Sequence, residues 1–180
     1  TMQDFYAPLF DDKDLDSIQS FDEFYAWYKS EMEQFTALSM RSIELIETMI
    51  PWCFPTPYLS SLMVGCYEKG MDVTAGACRY NNTGVSTCGL ATAVDSLAAI
   101  KKVVYDDKRM TLSQFAKAVN ANFEGYDELR NIVSNHCPKF GNDDDSVDFY
   151  MSDLIAAFGR VVNARKNPRG GHYMTGLYSV

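Results

Sequence analysis

The sequence predicts an α/β chain that is mostly helical with few strands, and three observations carry that expectation. Apolar residues recur in steps of mostly three and four over Phe21, Phe24, Tyr25, Tyr28, Met32, Phe35, Ile43 and Ile46. The tetrads Ser20-Phe21-Asp22-Glu23 and Thr111-Leu112-Ser113-Gln114 have the spacing of capping boxes, which start helices. Behind Gly170-Gly171 the helical pattern breaks, and HYMTGLYSV (172–180) reads as a strand.

Taken in order, the residues through Ser20 are acidic and turn-rich, a surface lead-in. A long amphipathic helix runs from Phe21 and is expected to end before Pro51. Pro51 to Ser61 holds three prolines and must be extended or turned at its start. A short helix from Leu59 to Lys69 should stop at Gly70. Residues Gly76 to Leu90 are expected to be irregular, with a short strand around Ala77–Tyr80. Helix follows from Ala91 to Asp106, then from the Thr111 box to Asn122. Gly125 separates that helix from another around Asp127–Asn135. Asn142 to Asp145 heads a last helix, whose Val147, Tyr150, Leu154, Phe158 and Val161 form one stripe. No repeat, low-complexity run or linker divides residues 1–180, so a single unit is expected. A lone terminal strand cannot satisfy its own backbone groups, and such an ending suggests a chain cut from something longer.

Composition narrows the function. With 24 Asp and Glu against 16 Lys and Arg, the net charge is −8, which disfavours a nucleic-acid partner. No apolar run reaches the ~20 residues that span a bilayer, and no signal peptide opens the chain. Cys53, Cys66, Cys78, Cys88 and Cys137 are odd in number and lack close CxxC pairs, so free thiols in a reducing cytoplasm are expected. The sequon at Asn81 would matter only in a secreted protein.

Three blocks concentrate the information: RYNNTGVSTCGLATAVDSLAAIKK (79–102), FGNDDDSVD (140–148) and NPRGGHYMTGLYSV (167–180). In this order and at these spacings they resemble the glycyl radical enzymes, from about Phe21 to Val180. The family includes pyruvate formate-lyase, glycerol and diol dehydratases, choline trimethylamine-lyase and arylacetate decarboxylases. The resemblance implies that this mostly helical segment belongs to a ten-stranded α/β barrel enclosing two opposed loops. It implies a cysteine that becomes a thiyl radical and a glycine that stores the radical. It also implies a radical-SAM activase with an iron–sulfur cluster as partner, with no cofactor bound by this segment itself.

Neither radical residue maps onto these positions. The storage glycine of the family sits in an Arg-Val-x-Gly-Tyr motif, and Arg160-Val161-Val162-Asn163 lacks that glycine. Gly65-Cys66-Tyr67-Glu68 imitates the Gly-Cys-x-Glu pattern around the thiyl cysteine. Its place matches a family helix that often carries an unreactive cysteine, so a structural role is favoured. Where many relatives have Gln-Gly-Val-Gly, this chain has Ser86-Thr87-Cys88-Gly89, and a turn-forming Cys88 is favoured over an activated thiol. The Gly-Leu-Tyr-x-Val match makes Tyr178 the one candidate substrate-binding residue. The resemblance implies that it lines the substrate cavity, while a strand tyrosine packed on a helix is the plainer reading. The acids at 143–145 lack the calcium-loop spacing and read as a helix cap. His136 and His172 lie far apart and show no ligand pattern. Residues 167–171 read as an anion nest or as a turn feeding the strand.

The expectation for the parent protein is therefore an anaerobic glycyl radical lyase, with a dehydratase-like eliminase favoured over a formate acetyltransferase. Its partners would be a small-molecule substrate, the activase and a second copy as a homodimer, with no nucleic acid or membrane. These 180 residues alone are expected to be inactive. The alternatives are a non-catalytic helical interaction domain, and a stand-alone thiol enzyme using Cys66 or Cys88.

Overall fold

The computed structural model describes residues 14–178, so most of the expected lead-in and the last two strand positions lie outside the described residues. Among the described residues a 3-10 turn, Leu15–Ser17, precedes helix α1 (Phe21–Cys53). The start of α1 follows from its cap. Ser20 Oγ accepts the Glu23 N–H at 3.2 Å, and the Glu23 carboxylate accepts the Gln19 N–H at 3.1 Å. The end differs from expectation, because α1 runs through Pro51. Pro51 lies in the last turn, where it removes one ladder bond, and the next bond, Phe54 N–H to Ile50 C=O, still closes at 2.8 Å. The buried stripe also departs from the expected one. Met40 is buried, whereas Phe35 and Ile46 are exposed, and Thr36 and Glu47 are buried instead.

The helix expected over 59–69 is two pieces, α2 (Pro57–Leu62) and α3 (Cys66–Lys69). Pro57 opens α2, where its missing N–H has no cost. Asp72 ties this region together, accepting the Thr56 N–H, the Thr74 N–H and the Ser60 hydroxyl at 2.8–2.9 Å. Strand β1 (Thr83–Thr87) lies beyond the expected Ala77–Tyr80. Helix α4 (Leu90–Ile100) continues as a wider π turn over Lys101–Asp106, in which the Asp107 N–H reaches the Lys102 carbonyl at 2.9 Å. Helix α5 (Leu112–Asn120) has the expected box, with Thr111 and Gln114 exchanging backbone-to-side-chain bonds. It stops two residues short of Asn122. Helices α6 (Asp127–Asn135) and α7 (Asp145–Asn163) stand as read, the latter capped by Asp144 on the Ser146 N–H at 3.0 Å. Strand β2 (Tyr173–Leu177) is the last described element, with Tyr178 just beyond it.

The terminal strand does find a partner. β2 pairs with β1 in parallel, in the register Thr83↔Tyr173 through Thr87↔Leu177. The described residues gather into two compact units, 14–31 with Gly89–Leu154, and Met32–Cys88 with 155–178. In the first unit Val94, Leu97, Val103, Leu112, Leu129 and Val147 are buried. There Phe21 meets the edges of Tyr105 and Tyr150 at 5.9 and 5.7 Å between ring centres. Asp153 takes the Tyr25 hydroxyl and the Lys29 ammonium, each at 2.7 Å. Asp95 accepts the Phe140 N–H at 2.8 Å, which joins the first sequence block to the second. In the second unit Met40, Phe158, Val162 and Tyr173 form a core, with Ile43 and Val85 packed against it. No described helix is long and apolar enough to cross a membrane.

Candidate functional site

The third sequence block folds onto the first through a buried asparagine. Asn167 accepts the Gly171 N–H at 2.8 Å and the Arg169 N–H at 3.1 Å on its side-chain oxygen. Its amide nitrogen donates to the Asn81 carbonyl and, at 2.9 Å, to the Thr83 hydroxyl. The Gly170 N–H is taken by the Asn167 carbonyl. All three amides after Pro168 are thus occupied, so residues 167–171 are a turn feeding the strand and offer no free anion nest. Gly171 is required by closeness, because a Cβ there would fall 2.2 Å from the Asn81 oxygen.

Beneath this turn lies Glu47, which the sequence reading did not single out. Its side chain is almost fully buried, an expensive place for a carboxylate unless donors surround it. They do. Oε1 receives the Thr83 hydroxyl at 2.6 Å and an Arg169 guanidinium N–H at 3.1 Å, and Oε2 receives the Tyr173 hydroxyl at 2.9 Å. Burial, and then the hydrogen bond to Glu47, push the Tyr173 phenol up to about 12. Arg169 also donates to Thr83 at 2.8 Å, while its Nε is buried and finds no partner among the described residues. One signal in the sequence did mark Glu47. Met40, Ile43 and Glu47 follow the apolar spacing of three and four, so a carboxylate occupies a core-facing position of α1.

The strand pair has two faces. Thr83, Val85 and Tyr173 turn toward the Met40–Phe158–Val162 core, and alternation puts Gly84, Ser86, Met174 and Gly176 on the other side. That side is open, with Gly84, Ser86 and Gly176 small beside the exposed Met174, and a Cβ on Gly176 would come 2.8 Å from Ser86 Oγ. Tyr178 continues this alternation. Its N–H donates to the Thr87 carbonyl at 3.0 Å, and its side chain is 69% exposed, so it is not packed on a helix. Two hydroxyls, Ser86 and Tyr178, therefore share one open face. Such a face can hydrogen-bond a neutral oxygen-bearing molecule.

The remaining candidates are not drawn into this face. Cys66 is buried, and burial, with Cys78 beside it, pushes its thiol up, away from the thiolate form an activated cysteine needs. Cys88 is exposed, at the end of β1 where Gly89 heads α4. Arg160 to Asn163 lie on α7, and Asn163 accepts the Thr175 N–H at 3.2 Å. Of the acids at 143–145, Asp144 caps α7 and Asp145 stands in its first turn. His172 donates its backbone N–H to Asn82, and its side chain is exposed. Among the described residues no three His, Cys, Asp or Glu side chains form a group that could hold a metal ion.

Known proteins place this fold. The sequence model of the pyruvate formate lyase-like family matches residues 6–180. Trans-4-hydroxy-L-proline dehydratase of Clostridioides difficile is 36% identical over 87% of this chain and 20% of its own length. (2S)-3-sulfopropanediol dehydratase of Klebsiella oxytoca is 35% identical over 92% of this chain and 20% of its own. The chain thus spans about one fifth of the curated relatives it matches. Among solved structures, the glycerol-bound B12-independent glycerol dehydratase of Clostridium butyricum superposes with a TM-score of 0.81 at 36% identity, over 92% of this chain and 21% of that one. A glycyl radical enzyme of Archaeoglobus fulgidus superposes at 0.75 with 31% identity, over 87% and 20%. The expectation drawn from the three blocks therefore holds: the chain belongs to the pyruvate formate lyase-like family, and its mostly helical fold is a part of the glycyl radical enzyme fold.

Proposed function

We propose that this chain is a segment of an anaerobic glycyl radical lyase of the dehydratase-like, eliminating kind, and that Tyr178 lines its substrate cavity. The observation that carries the reading is the open face of the β1–β2 pair, on which the exposed Tyr178 phenol stands beside small residues and one further hydroxyl. The relatives support the reaction type, since those named for hydroxyproline, sulfopropanediol and glycerol are all dehydratases. Hydrogen abstraction would belong to a thiyl radical in the parent enzyme, drawn from a stored glycyl radical that a radical-SAM activase installs, both on residues with no counterpart here. The part left to these residues is orientation. The Tyr178 hydroxyl donates to a substrate oxygen, while the bond from its N–H to Thr87 holds the backbone beneath it. The chain by itself turns nothing over.

The test is Tyr178→Phe in the full-length enzyme. Loss of one positioning hydrogen bond that matters most in the transition state lowers kcat/KM by about 10-fold or more. Radical yield stays unchanged. Wild-type kinetics with every hydroxylated substrate tried would reduce Tyr178 to a surface residue. The same enzyme separates the thiol reading, because Cys66→Ala and Cys88→Ala leave turnover largely intact.

A second reading, a non-catalytic helical interaction domain, draws on the exposed Trp52, Tyr58, Val64 and Tyr67. An apolar surface of that kind calls for cover by protein. The rest of a lyase would supply that cover equally well, so the first reading explains more.

A further inference from the structure

We propose that Glu47 is a positioning residue, a single carboxylate that sets the register of β1 against β2 and thereby fixes where Tyr178 stands. The proposal rests on the reading of Tyr178 as a substrate contact, and goes beyond it in naming what holds that contact in place.

The strands specify their own pairing weakly. A slip of one residue in a parallel pair would exchange the two faces, carrying Tyr178 from the open side to the core side. Strands with glycine are the ones that resist such slips least, and this pair has Gly84 on β1 and Gly176 on β2. Among the described residues only these two strands form the sheet, so no third strand adds its own register. Bonds outside the ladder must discriminate: Asn167 ties Thr83 to the Gly171 turn, and Glu47 grips the first rung itself.

Glu47 meets that need by its geometry. Thr83 and Tyr173 are partners on the first rung, and each gives its hydroxyl to a different oxygen of the same carboxylate, at 2.6 and 2.9 Å. A one-residue slip moves one of the two donors by ~3.3 Å along its strand, well outside hydrogen-bond reach. The carboxylate would then be buried with one of its three partners gone, which is costly. Arg169 supplies the countercharge to Oε1 and a second bond to Thr83, so the clamp is neutral overall and closed around the rung. Tyr178 lies five positions beyond Tyr173, ~16 Å along the strand. Glu47 therefore acts on the open face only through the strands and touches nothing on it.

The experiment uses the full-length enzyme and a double-mutant cycle. In Glu47→Gln the charge facing Arg169 is lost, and the amide nitrogen meets one of the two hydroxyls only by donating to it, so that grip on the rung is reversed and weakened. The expected result is a fall in kcat/KM of about 10-fold or more, with radical yield and far-UV circular dichroism retained. Tyr178→Phe, costly in the wild type, should add less than about twofold in the Glu47→Gln background. Tyr173→Phe and Thr83→Val each remove one arm and should act in the same direction, less strongly. If Glu47→Gln fails to fold, Tyr173→Phe takes its place in the cycle.

Wild-type kcat/KM in the replacement, with only the melting temperature lowered, would make Glu47 an ordinary stabiliser and overturn the proposal. Fully additive effects would do the same. If Tyr178→Phe is silent in the wild type, the functional reading of Tyr178 fails separately. The register claim is then decided by amide exchange of Tyr178 in Glu47→Gln, where lost protection supports it and retained protection overturns it.

Discussion

The two compact units bury their interiors by different means. In the unit of 14–31 and Gly89–Leu154, aromatic edges and aliphatic side chains dominate, with Phe21 set among Phe24, Tyr105 and Tyr150. In the unit of Met32–Cys88 and 155–178, a small apolar core adjoins a buried carboxylate and a buried asparagine that between them bind four chain segments. The difference reflects what each must specify. Helices carry their own hydrogen bonds and need only an apolar face covered, which non-directional contacts supply. Turns and a two-stranded ladder need one arrangement among near-equal ones, and only directional bonds between named atoms discriminate among those.

The sharpest way to break that contrast is at the aromatic cluster. Phe21→Ala removes a buried ring from the first unit and should cost ~3–5 kcal/mol in urea denaturation. A loss under about 1 kcal/mol would mean that this unit does not depend on apolar packing. Asn167→Ala tests the polar side. It strips the buried Gly171 N–H of its acceptor and should cost ~1–3 kcal/mol, with amide exchange accelerated over Gly171–Tyr173. An unchanged exchange pattern there would show that the turn holds itself.

Acid should sharpen the contrast further. Hydrogen bonds from the Thr74 hydroxyl and backbone hold the Asp72 carboxyl well below the usual carboxylate range. A lowered folded value stabilises fully above the unfolded pKa near 4, and that stability is lost as pH falls toward the folded value. Exchange around α2 and the Val73–Ala75 turn should therefore quicken below about pH 4. In Asp72→Asn this acid sensitivity should disappear, and its persistence would move the cause elsewhere. Thiol alkylation has the smallest expected effect on stability. Cys53 and Cys88 should react first, while Cys66 and Cys137, both buried and with their thiols raised by burial, stay protected. Early modification of Cys66 would mean that the second unit opens readily.

The sequence by itself determined most of the helices, the strand that carries Tyr178 and, through three short blocks, the family. Caps at Ser20 and Thr111 and the stripe of α7 are legible because they involve residues three or four apart, whose partners lie in the same helical turn. Tertiary structure decided the rest. It carried α1 past Pro51, divided the helix expected over 59–69, and moved the first strand from Ala77–Tyr80 to Thr83–Thr87. It also decided which face of the ladder Tyr178 takes, because that depends on pairing across about 90 residues of chain. Glu47 shows the boundary between the two. Its place in an apolar stripe is written in the local spacing, but its partners Thr83, Arg169 and Tyr173 are distant in sequence. A buried charge is tolerable only where the fold assembles its donors, and no local pattern encodes that assembly.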